Sequence, residues 1–193
     1  MGIWKPARWC LFVGIFYLTA CGEPVADVEQ VRNYQRDGVR FSLPGNWSVT
    51  EDHSEPGFRL IFVESSGDAI AKIELYLRDE AFSLRDFVQL SKQSFAEQMP
   101  AGVVIDGDKP LAAVSKTKES EELNGYQYEF DLEVLGLTVP HWQQFFEIHN
   151  AGETAYLVFQ VATEDRAKAE AGFDLLLESL QFESAVADFP VSE

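Results

Sequence analysis

Cysteine is nearly missing from this sequence: 193 residues hold two, Cys10 and Cys21. Both lie at the N-terminal end, so the rest of the chain has no thiol for a disulfide framework or a thiol nucleophile. Histidine is almost as scarce, at three. Basic residues are outnumbered, 15 Lys and Arg against 32 Asp and Glu, for a formal net charge of −17. Such a surface repels nucleic acid and anionic lipid headgroups, which argues against both as partners, and it attracts cations or a basic protein. No glycine-rich phosphate cradle, Gly-x-Ser-x-Gly or His-Glu-x-x-His occurs. What is present is 46% hydrophobic and 13% aromatic residues, enough for one domain of ordinary size to pack a core without a structural metal.

The first 20 residues read as a targeting segment. Lys5 and Arg8 make a short positive start, and Trp9 to Leu18 is an uncharged apolar run. At 1.5 Å per residue that run covers about half the hydrocarbon core, too little for a membrane span but right for a signal-peptide core. Leu18-Thr19-Ala20-Cys21 follows and resembles the lipobox of bacterial lipoproteins. The resemblance implies cleavage before Cys21, acylation of Cys21, and a membrane-anchored, periplasm-facing lipoprotein. Gly22, where Asp often marks inner-membrane retention in such proteins, tilts the expectation toward the outer membrane. Several acyl chains hold durably, each buried methylene adding about 0.8 kcal/mol. Residues 21–30 are then an acylated polar tether, residues 31–183 the folded domain, and residues 184–193 a flexible acidic tail.

Within the domain, Val39–Leu43 and Trp47–Thr50 are predicted strands about the Pro44-Gly45-Asn46 turn, and Phe58–Glu64 is a third. Ala71, Ile73, Leu75 and Leu77 alternate with polar neighbours, as a strand with one buried face does. The period then changes. Ser83 as N-cap, Asp86 three residues on, and the Phe82/Phe87 staple open a helix whose stripe is Leu84, Phe87, Val88, Phe95 and Met99. Leu111–Thr117 precedes a charged loop at Lys118–Glu122 and Asn124-Gly125. Tyr126, Tyr128, Phe130, Leu132 and Val134 then give a clear strand alternation. His141–Asn150, with Pro140 at its start, and Thr154–Ala162 form a hairpin, and Thr163 caps a last helix with the stripe Ala169, Phe173, Leu176, Leu177, Leu180. The expected fold class is α+β, an antiparallel β-sheet flanked by helices.

Gly38-Val39-Arg40-Phe41-Ser42-Leu43-Pro44-Gly45-Asn46-Trp47 resembles the opening of PsbP-like domains, which include DcrB-like lipoproteins. Phe173–Phe182 is similar to their closing helix and Ser-Leu-x-Phe. The resemblance covers about Gly38 to Phe182. It implies a PsbP-like α/β/α sandwich and a non-enzymatic binding or assembly role, with no shared catalytic residues and no cofactor.

The candidates for chemistry are few. Asp52-His53-Ser54 are sequence neighbours, which rarely have triad geometry. His141, Gln143, Phe145, Glu147 and His149 share one strand face and form the candidate partner-contact surface. His141 and His149 are about 27 Å apart along a strand, at about 3.3 Å per residue, so no shared metal is assigned to them. Glu129, Asp131 and Glu133 could pair as hydrolase carboxylates, but a solvated strand face has the same pattern. Asp106-Gly107-Asp108 hints at a calcium loop without the remaining ligands. The expectation is an envelope lipoprotein that binds or assembles with an unidentified envelope protein. The alternatives are a periplasmic hydrolase using acidic residues and a divalent-cation or small-ligand binder.

Overall fold

Strands with one apolar face cannot stand alone in water, and this chain pairs them into two antiparallel sheets with a helix on each face of the larger one. The computed structural model describes residues 23–107, 109–150, 152–183 and 185–186. Cys10, Cys21, Gly22, Asp108 and the tail beyond Val186 lie outside the described residues.

The smaller sheet holds β1 (Val31–Arg36), β2 (Val39–Pro44) and β11 (Gln181–Phe182), in the order β1-β2-β11. The larger holds β3 (Ser48–Glu55), β4 (Phe58–Glu64), β5 (Ile70–Leu77), β6 (Val103–Asp106), β7 (Ala112–Lys118), β8 (Glu121–Val134), β9 (Leu137–Asn150) and β10 (Glu153–Ala162). Its order is β3-β4-β5-β10-β9-β8-β6, with β7 also paired to β8. Helix α1 (Leu84–Gln98) covers one face and α2 (Arg166–Ser179) the other. This is the expected α+β sandwich.

The two faces pack differently. Under α2, Phe173 stacks on Phe159 at 4.7 Å and meets Trp47 edge-on at 5.1 Å. Gly172 lets the helix approach that indole: a Cβ there would lie 2.7 Å from Trp47 Cζ2. Burying side chains of this size contributes roughly 1.5–3 kcal/mol each. Under α1 the contact is smaller, with Phe87 stacked 4.0 Å from Tyr156 and Phe95 edge-on to Phe130 at 5.6 Å. Ser83 caps α1 as expected, its Oγ accepting from the Asp86 amide at 3.2 Å.

Several expectations are corrected. The stretch before β1 does not hang free. Glu23 is 2% exposed and its Oε2 accepts from Ser65 Oγ and the Ala69 amide at 2.8 and 2.9 Å, while the Ala26 amide donates to Lys168 O. At the Pro44–Asn46 turn the Asp27 amide donates to Asn46 Oδ1, and the Gly45 amide donates to Asp27 O. The start of the tail is fastened too, the buried Val186 donating its amide to Glu153 Oε1 at 2.7 Å. Thr163 caps nothing: α2 is entered through a short 3-10 turn, and Thr163 Oγ1 is buried with no partner. The charged loop shrinks to Glu119–Ser120, both at positive φ, the geometry that follows the twist of β7 and β8. Gly125 is not a turn residue but sits inside β8, where its missing side chain admits Phe145 O and the Phe146 ring. Pro140 lies within β9, beyond the last β10 residue paired to that strand.

Candidate functional site

The crossing of the two sheets leaves an open cleft of about 870 Å³ where α2 ends. One wall is the β1–β2 turn with Gln35, Asp37 and Arg40; the other is the β7–β8 turn with Lys118, Glu119, Glu121 and Glu122. The ends of β9 and β11 form the floor, with Ile148, Asn150 and Phe182. Each turn is set locally. Asp37 and Gly38 have φ of 41° and 76°, the pair of values a two-residue hairpin needs, and Asp-Gly supplies them readily.

The charge of the cleft is one-sided. Asp37, Glu119, Glu121, Glu122 and Glu183 face two cations, Arg40 and Lys118; the Glu147 side chain leaves β9 on the opposite face, toward Tyr156. Arg40 Nε donates to Gln181 Oε1 at 2.6 Å, and Lys118 Nζ donates to Glu178 O at 2.9 Å, capping the α2 carbonyl end. Burial pushes the Lys118 ammonium below the ordinary lysine range. Both cations are thus turned toward the protein, leaving the carboxylates to set the potential of the space between the walls. No serine, threonine or cysteine is among the lining residues.

The candidate contact face of β9 does not form one surface. Phe145 is fully buried beneath α1, and Gln143 is 4% exposed, its amide bonded to Gln160. His141 and Glu147 are half-buried, and His149 is exposed at the strand end. The expectation of a contiguous exposed patch fails because α1 and the Tyr128, Phe130 and Tyr156 rings cover its middle. Glu147 and His149, 3.5 Å apart, stand at the edge of the cleft, with their side chains on the face of β9 away from α2. His149 Nδ1 also meets Thr154 Oγ1 at 3.0 Å. Trp142 and Trp47 are core residues, 1% and 0% exposed.

The remaining candidates separate. Asp52 and His53 take different partners: Asp52 binds Arg59, while His53 Nε2 meets Glu55 at 2.9 Å in solvent. Glu129 pairs with Lys109, and Asp131 lies against Gly107. Among the described residues no group of three or more His, Cys, Asp or Glu side chains is arranged to hold a metal ion.

Two buried polar clusters escaped the sequence, since burial of charge leaves no pattern there. Arg59, 1% exposed, donates from Nε and Nη2 to the two Asp52 carboxylate oxygens at 2.9 Å each, and to the carbonyls of Asp37 and Arg36. Tyr34 Oη donates to the same carboxylate. Burial opposes ionisation of Asp52, but the bonds from Arg59 and Tyr34 outweigh it and hold its pKa below the usual range. The second cluster joins Glu23, Asp68 and Asp165. Burial, then the hydrogen bond and charge of Glu23, raise the Asp68 carboxyl above its ordinary value. Lys168 lowers that of Asp165. None of these shifted acids lines the cleft.

The comparisons with known proteins place the fold. The solution structure of cyanobacterial PsbP (CyanoP) from Synechocystis sp. PCC 6803 superposes with a TM-score of 0.50 at 14% identity, over 93% of this chain and 100% of that one. LpqN of Mycobacterium tuberculosis, involved in cell envelope biogenesis, has a TM-score of 0.41 at 13% identity, over 79% and 90%. A Bacteroides thetaiotaomicron protein has 0.46 at 10% identity, over 84% of this chain and 49% of its own. No family model matches the sequence, and no curated protein matches it. The domain has the PsbP-like fold, as its opening and closing motifs implied. Among the described residues no helix is long and apolar enough to cross a membrane.

Proposed function

We propose that the protein is a membrane-anchored cell-envelope lipoprotein whose PsbP-like domain is a non-enzymatic binding or assembly module, taking a basic segment of an envelope partner into the cleft. The observation that carries this reading is the cleft itself: five carboxylates border one space, and its two cations are tied to the protein. A charge field of one sign in a cleft concentrates ligands of the other sign and speeds their encounter. The lipobox-like Leu18–Cys21 supports the anchor. The lack of hydroxyl and thiol nucleophiles along the walls supports a binding role over an acyl-transfer one.

The test has two arms. Labelled fatty acid is expected in the wild-type protein and absent from Cys21→Ser. In native envelopes, a photo-crosslinking side chain in place of Leu123 should trap a protein through a Lys- or Arg-rich segment. Reversing Glu119, Glu121 and Glu122 to lysine should reduce that product at least fivefold, while Glu97→Lys on α1 leaves it unchanged. A product that survives the triple reversal refutes the cleft as the docking site.

A further inference from the structure

Nine large apolar side chains are exposed among the described residues, and seven of them sit at one end of the molecule. That end is fixed by the strand registers. Ala162, the last residue of β10, pairs with His141, and β8 and β9 run on past it to the Leu135-Gly136 turn. Val134, Leu135 and Leu137 are 37%, 93% and 71% exposed on this overhanging finger, with Val104 of β6 beside them at 54%. The chain enters at the same end. Glu23 is bound to Asp165 at the start of α2 and to the β4–β5 loop, and Val25, Val28 and Val31 stand exposed just after it.

Leu135 is a poor residue for its place on conformational grounds. Its φ is +53° and that of Gly136 is +80°, the two-residue turn in which Asn-Gly is the usual pair. A leucine side chain is disfavoured in this left-handed region and gains nothing from the core here. Exposure and backbone both count against leucine at this position, so a contact outside the chain accounts for it.

We propose that this end is a membrane-docking surface, in which the β8–β9 finger and the N-terminal valines enter the interfacial layer of a zwitterionic bilayer beside the anchor. The inference rests on the reading of Cys21 as the acylated residue. Two residues span at most about 7 Å, so an acyl chain on Cys21 holds the buried Glu23 and everything around it against the headgroups. Asp106 and Asp131 at the base of the finger, and Glu133 beside Val104 near its tip, repel anionic lipid, which selects a neutral headgroup. The cleft is at the far end of β10, about 33 Å away at about 3.3 Å per residue, and so faces outward.

The full chain carrying a genetically encoded coumarin side chain in place of Leu135, Leu90 or Glu119 is reconstituted into phosphatidylcholine vesicles with nitroxide-labelled acyl chains. Mass spectrometry of the same samples reports acylation. Quenching at position 135 is expected to exceed that at positions 90 and 119 at least threefold. Equal quenching at the three positions overturns the inference. An acylated protein with an unquenched position 135 sinks the docking surface and leaves the anchor standing. A non-acylated protein still quenched at 135 upholds the surface and removes the anchor.

Discussion

Arg59→Met tests whether the two sheets are held in register by one buried cation. Arg59 ties β4 to Asp52 of β3 and to the carbonyls of Arg36 and Asp37 in the smaller sheet. Methionine fills similar space but leaves the Asp52 carboxylate, 8% exposed, without its bidentate partner. Removing one member of a buried pair costs about 3–5 kcal/mol. Arg36, itself 60% exposed, stays 3.3 Å from Asp52, which favours the low end. A loss of about 3 kcal/mol lowers the melting temperature by about 6–12 °C in a domain of this size. The pH dependence follows from the depressed Asp52 pKa. The stability contributed by its ionised form is full above the unfolded value of about 3.9 and is lost as pH falls through the lower folded value. In the variant, Asp52 loses its main partner and protonates more readily, so the gap to wild type should narrow below about pH 4. Thermal melts followed by circular dichroism from pH 7 to 3.5 read both effects. A gap under 3 °C at pH 7, or one unchanged down to pH 3.5, refutes the reasoning.

Asp68→Asn should raise the melting temperature at pH 7, because a carboxyl whose folded pKa is raised contributes stability below its unfolded pKa and loses it as pH rises through the folded one; the gain should vanish on acidification, in the same melts. Ser83→Ala removes the α1 cap and should cost about 1 kcal/mol, seen as a drop in urea midpoint with an unchanged slope. Gly172→Ala forces a methyl onto the Trp47 ring and should cost about 1–3 kcal/mol, with a change in tryptophan fluorescence.

Legibility in the sequence followed the range of the interaction. Tyr126 to Val134 and Ala71 to Leu77 announced themselves by alternation, and α1 by its Ser83 cap, because each signal lies within a few residues. β1 was unreadable: Val-Arg-Asn-Tyr-Gln-Arg is exposed at all but one position and carries no period, its place being set by β2. The docked Glu23 looked like linker, since its partners are 42 to 142 residues away. On β9 the alternation gave the shared face of His141 to His149 but not its cover, which comes from α1 and from rings on neighbouring strands. The cleft brings together four separated stretches, and of the residues bordering it only Glu147 and His149 were legible as contact candidates.

β2 is bordered on one side by β1 and on the other by Gln181 and Phe182, so the smaller sheet is completed by residues about 140 positions further along the chain. A chain that emerges from its N-terminus must hold Val39 and Arg40 in waiting for about 140 residues, a span that slows closure and leaves an unpaired edge open meanwhile. Premature termination before position 181 would therefore do more than shorten α2's exit: it would leave a sticky border beside the cleft, and any quality-control factor that recognises unpaired strands would find its handle there.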